Sequence, residues 1–73
     1  MMKKIKKIKI KVNGKFKSIL ENYKISDLVK DLKIPLKKVA IELNQEIIDK
    51  KKISKISLKE NDKIEIVHFI GGG

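Results

Sequence analysis

The sequence has no cysteine, no tryptophan and no arginine, and holds one proline, one histidine and only three aromatic residues among 73. Without cysteine there is no disulfide, no thiolate metal site and no thiol nucleophile. A single histidine does not furnish a structural zinc site. No apolar run approaches the ~20 residues that span a bilayer as a helix, and the lysine-rich start lacks the apolar stretch of a secretory signal, so a soluble, cytoplasmic protein is expected. Acid is scarce as well. Nine Asp and Glu stand against nineteen basic residues, all of them lysine, for a formal net charge of +10. A chain this short buries only about 60% of its unfolded surface, which leaves room for one thin core and none for an enclosed catalytic pocket. The expectation is one cofactor-free domain over residues 1–73.

Lys, Ile and Asn fill 37 of the 73 positions, the skew that A- and T-rich codons produce, so part of the charge is compositional. Residues 3–12 read as a strand, with Ile8, Ile10 and Val12 alternating against Lys7, Lys9 and Lys11. Asn13-Gly14 is a hairpin signal, because both residues accept the positive φ of a tight turn. Residues 15–20 return. A two-residue loop sets Ile19 opposite Ile8, and a three-residue loop sets Phe16 opposite Val12. Ile25, Leu28, Val29 and Leu32 recur at helical spacing over residues 25–33, with Ser26 as the expected N-cap, Asp27 in the first turn and Pro35 as the stop. Residues 39–43 and 46–48 are short strands about an Asn44-Gln45 turn. Residues 49–57 are a polar crossing with one helical turn, and Glu60-Asn61-Asp62 is a turn in which Asn61 tolerates the left-handed region. Residues 64–70 form the last strand, with Ile64, Ile66 and His68 on one face and Glu65, Val67 and Phe69 on the other. One helix across a four- or five-stranded mixed sheet buries these stripes, an α+β arrangement.

The chain's most informative stretch follows that strand directly: Gly71-Gly72-Gly73, with no spacer. A glycine segment has no Cβ and is slim enough to thread a narrow channel into another protein's active site. The group it would deliver is the α-carboxylate of Gly73. A carboxylate is inert at neutral pH until activated, and attack on the α-phosphate of ATP makes it an acyl-adenylate. A sulfur nucleophile can then displace AMP and leave a thiocarboxylate. None of this needs a side chain from the carrier.

In these features the chain resembles the ThiS-type sulfur carriers of thiamine biosynthesis, which are ubiquitin-like β-grasp proteins. The resemblance rests on Val12-Asn13-Gly14, on 39–44 (VAIELN) with Glu46-Ile47-Ile48, and above all on 62–67 (DKIEIV) leading through His68-Phe69-Ile70 to the glycines. It implies a β-grasp fold. It also implies a carrier, not an enzyme, that binds no cofactor itself. Gly73 would be adenylated by an E1-like adenylyltransferase using Mg-ATP, supplied with sulfur by a desulfurase-fed donor, and consumed by thiazole synthase. Gly71 and Gly72 would thread the partner. Read from their own placement, Val67 and Phe69 are an apolar pair on the face opposite Ile64 and Ile66 that either docks the activating partner or is covered as core. The sequence departs from the family pattern in its basic charge, in Asn61 where Gly is usual, and in the Lys50-Lys51-Lys52 run. The small subunit of molybdopterin synthase shares the fold and the Gly-Gly end. From another class, the stripe Lys7, Lys9, Lys11, joined by Lys15 and Lys17, suits a small basic RNA-binding module, although arginine is absent and stacking rings are few. His68 has no partner to make it a base or a ligand.

Overall fold

The computed structural model describes residues 6–69. Five strands, β1 (Lys7–Val12), β2 (Lys15–Leu20), β3 (Val39–Leu43), β4 (Glu46–Ile47) and β5 (Lys63–His68), form one sheet in the order β2-β1-β5-β3-β4. The helix α1 (Ile25–Asp31) and two 3-10 turns, Leu36–Lys38 and Lys50–Lys55, supply the connections. β5 lies in the middle, parallel to β1 and antiparallel to β3. Five strands are therefore present where the sequence left four or five open.

The hairpin takes the two-residue register: Ile8 pairs with Ile19 and Val12 with Lys15. Asn13 at φ 50 and Gly14 at φ 83 make the primed turn whose twist matches that of the strands. Asn13 also ties the hairpin to β5. Its backbone N–H donates to the Ile64 carbonyl at 2.9 Å, and its side-chain Oδ1 accepts from the Ile66 N–H at 2.7 Å.

Three expectations about the helix are corrected. It ends at Asp31, two residues early. Its N-cap is Lys24 and not Ser26. The Lys24 N–H donates to the Asp27 carboxylate at 2.8 Å, so the acid three residues on provides the side-chain contact that a Ser would have offered. At the other end the stop precedes Pro35. Lys33 turns left-handed (φ 54), its N–H bonds to the Lys30 carbonyl, and the Ile34 N–H reaches back to Val29 at 3.0 Å. That pair of bonds closes the helix before the proline acts, in a Schellman turn that normally carries glycine. Substituting Lys33→Gly is expected to stabilise the fold by about 1 kcal/mol, raising the thermal midpoint by about 4–8 °C in a circular-dichroism melt.

The core lies between the sheet and α1. Ile8, Ile10, Ile19, Val39, Ile41 and Ile64 from the strands meet Ile25 and Leu28 from the helix, with Ile53 and Leu58 closing the side that the crossing segment covers. Seven of these ten buried residues are isoleucine, whose β-branch suits a pleated surface, so the compositional bias serves the sheet. β4 is Glu46–Ile47, one residue shorter than read, and β5 stops at His68. Pairing continues one step further, because the Phe69 N–H donates to the Lys38 carbonyl at 2.8 Å.

Candidate functional site

The helix-distal face of the sheet is where the sequence placed a docking surface. Alternation along β5 sends Ile64 and Ile66 toward the core and Glu65 and Val67 outward, with Phe69 following in phase. Val67 is 49% exposed and Phe69 58%, so neither is core. Val67 lies opposite Ala40, and Glu65 opposite Glu42. Glu42 is in turn the partner of Ile47, which is 76% exposed and belongs to the same face. Sequence reasoning missed Ile47 because the Ile47-Ile48 doublet has no phase of its own; only the two-residue Asn44-Gln45 turn, with φ 51 and 74, fixes which residue points out. Large apolar side chains left in water on one face of a small sheet mark an interaction surface.

The β2–β1 half of this face is cationic. Lys7, Lys9 and Lys11 share it with their cross-strand partners Leu20, Ser18 and Phe16. Phe16, 68% exposed, has the Lys9 and Lys11 ammonium groups 5.6 and 5.0 Å from its ring centre. Lys15 and Lys17 do not join the stripe. They pair with Val12 and Ile10 and so belong to the opposite face, which corrects the sequence reading. Among the described residues one ion pair is present, Lys6 with Glu21 at 4.0 Å, and it lies at the far end of β1.

Gly71, Gly72 and Gly73 lie outside the described residues. The root from which they continue is well defined: β5 to His68, then Phe69 bonded to Lys38. A lysine the sequence reading left in a solvated run sits beside it. The Lys50 ammonium donates to the Leu36 and Val39 carbonyls, each at 2.7 Å, and lies 5.4 Å from the Phe69 ring centre.

Other chemistry lies away from this face or is absent from the described part. His68 is exposed and pairs with Val39. Among the described residues no three His, Asp or Glu side chains gather as a metal site. The Tyr23 phenol is pushed well above its ordinary value, first by burial and then by the Asp31 carboxylate to which it donates. The depressions lined by described residues are small. The one between Glu21 and Lys59 holds about 300 Å³, at the bottom of the range for ligand pockets. Among the described residues no helix is long and apolar enough to cross a membrane.

A mixed sheet in the order β2-β1-β5-β3-β4, grasping one helix and ending on its central strand, defines a ubiquitin-like β-grasp domain. The crystal structure of the thiamine biosynthesis protein ThiS from Geobacter metallireducens superposes with a TM-score of 0.79 at 29% identity, over 90% of this chain and all of that one. The ThiS family model matches residues 10–73, and the chain belongs to the ThiS family. It is 45% identical to the sulfur carrier protein ThiS of Bacillus subtilis over 49 residues, covering 67% of this chain and 74% of that protein. It is also 35% identical over 66 residues to a thiazole synthase of Paramagnetospirillum magneticum, covering 90% of this chain. The chain spans about a fifth of the length of the thiazole synthases it matches, 20% in each of two cases. Of the two carrier branches weighed from the sequence, the match falls on the thiamine one.

Proposed function

We propose that this protein is a sulfur carrier of thiamine biosynthesis, a co-substrate whose Gly73 carboxylate shuttles between oxygen and sulfur. In the first step a Gly73 carboxylate oxygen attacks the α-phosphorus of Mg-ATP in an E1-like partner, and pyrophosphate leaves. In the second, a sulfide-equivalent nucleophile from a desulfurase-fed donor adds to the acyl carbon and AMP leaves, giving the thiocarboxylate. Thiazole synthase then consumes the sulfur. The observation that carries this reading is the family match, which runs through the central strand β5 and reaches residue 73. A thiazole synthase that contains a segment similar to this chain supports the pairing of carrier and synthase.

Adenylation demands that the partner hold the carrier while the tail threads. Val67 and Phe69 are the exposed apolar residues nearest the tail root, and Ile47 lies on the same face two strands away, in line with Glu65. Changing Val67 and Phe69 together to Ser is expected to weaken binding to the adenylyltransferase about a hundredfold, as truncating two central apolar contacts does. The far-ultraviolet spectrum should stay that of the parent. Loss of the fold would make both residues structural.

The function itself is tested by the mass of the tryptic peptide 64–73 from protein made with its natural partners. Replacing one carboxylate oxygen by sulfur adds about 16 Da, and the peptide has no methionine whose oxidation would imitate it. The expected species is also trapped by an alkylating reagent that leaves carboxylates alone. An unmodified peptide, with the adenylyltransferase, donor and ATP present, overturns the reading.

A further inference from the structure

Lys50 makes contacts that a solvated lysine does not. It opens the second 3-10 turn, whose start is fixed by the Asp49 carboxylate accepting the Lys51 N–H at 2.9 Å. From there its half-buried side chain makes three contacts. Two N–H groups meet the carbonyls of Leu36 and Val39 at 2.7 Å, and the charge lies over the Phe69 ring at 5.4 Å. These carbonyls belong to the first 3-10 turn and to the first residue of β3. Between them lies Lys38, whose own carbonyl accepts the Phe69 N–H. Residues 36–39, the last described residue before the tail, and the crossing segment are thus tied at one point. A lysine ordered in this way gives up as much rotamer freedom as any side chain can, so the arrangement has a cost that only its contacts offset.

What the cluster orders is Phe69, which is held at both its backbone and its ring and is nevertheless 58% exposed. An exposed aromatic residue in a fixed place is a preorganised anchor, because a partner that binds it does not have to order it. We propose that Lys50 is a positioning residue for the tail root: by clamping Phe69 it fixes the point from which the chain continues to the glycines, and the tail-accepting partner reads that fixed point. The proposal rests on the carrier reading for the partner and on the Lys50 contacts alone for the clamp.

Two measurements on the full chain test it, with Lys50→Met and Lys50→Arg beside the parent. Methionine keeps the length and apolar stem and removes every donor. Arginine can donate to both carbonyls and stack on the ring. In the free protein, the amide order parameter at Phe69 is expected to fall from the rigid range near 0.85 toward 0.6 in Lys50→Met, with Ile41 and Ile66 unchanged. In pyrophosphate exchange with the adenylyltransferase and Mg-ATP, the KM for the carrier is expected to rise about tenfold at unchanged kcat, the signature of lost preorganisation and not of lost chemistry. Arginine restores both. Should Lys50→Met fail to fold, Lys50→Gln, which keeps a donor but removes the charge over the ring, takes its place, with the same loosening of Phe69 and the same rise in KM expected. A rigid Phe69 in Lys50→Met, or a loosened Phe69 with unchanged KM, overturns the proposal. If the parent itself gives no exchange, the carrier reading falls, while the order parameter still decides whether Lys50 clamps Phe69.

Discussion

Deleting Gly72 and Gly73 is expected to abolish thiocarboxylate formation and to leave the thermal midpoint where it was. That is the largest functional effect expected of any change to this chain, and its cause is chemical. In the proposed reaction the carrier contributes one reacting group, the α-carboxylate, and moving it two residues back would withdraw it by about 7 Å from the α-phosphate it has to reach. Misplacement by a single ångström already costs about a hundredfold in a positioned reaction, so a shift of this size leaves no turnover to detect. Stability has no reason to change. The last fully buried residue of β5 is Ile64, and side chains further along it are half-buried or exposed. The measurement is the mass of the C-terminal peptide after incubation with partners and ATP, set against a melt of the same sample. Retained sulfur transfer in the truncated chain would end the carrier reading.

Ile64→Ala is expected to do the reverse: it destabilises the fold without touching the tail. Ile64 is 1% exposed on the central strand, paired with Val12 on one side and Leu43 on the other. Its backbone carbonyl also anchors Asn13. Truncating a buried isoleucine costs about 2–5 kcal/mol, part transfer and part cavity. At roughly 0.05–0.15 kcal/mol per residue a domain of this length is stable by only about 4–11 kcal/mol, so the loss takes up to most of it. A fall in thermal midpoint of at least about 10 °C is expected by calorimetry. Val67→Ala, two residues on but facing water, should move the midpoint by less than about 3 °C, about 0.5 kcal/mol, as surface changes do. Equal losses at the two positions would mean that the face assignment along β5 is wrong.

The period-two stripes of β1, β3 and β5 were readable because each strand buries one face only, so pattern and burial coincide. The Asn13-Gly14 turn was readable for a local reason, since two positive φ values in a row leave few residue choices. What escaped depends on partners distant in sequence. Lys15 and Lys17 look like a continuation of the basic stripe until the register sets them opposite Val12 and Ile10. The helix ends where Lys33 accepts a left-handed backbone, and nothing in a lysine announces that. Lys50 reads as one of a run of three because its carbonyl partners are eleven and fourteen residues away. Val67 and Phe69 were legible as outward residues from alternation alone. Ile47 required the sheet.

All four asparagines of the chain, Asn13, Asn22, Asn44 and Asn61, have positive φ, between 50 and 71°. Left-handed backbone is glycine's usual territory, with asparagine the next most tolerant residue. Here the bends of the fold have been handed to the residue with the A- and T-rich codons, so glycine, whose codons begin with two guanines, is needed at Gly14 and otherwise appears only in the final three positions. Mutational drift toward adenine and thymine can therefore rewrite nearly every corner of such a domain at small cost. Under the proposed function the same drift has no substitute to offer at the tail, where a threading segment would require an absent side chain and not a tolerated angle.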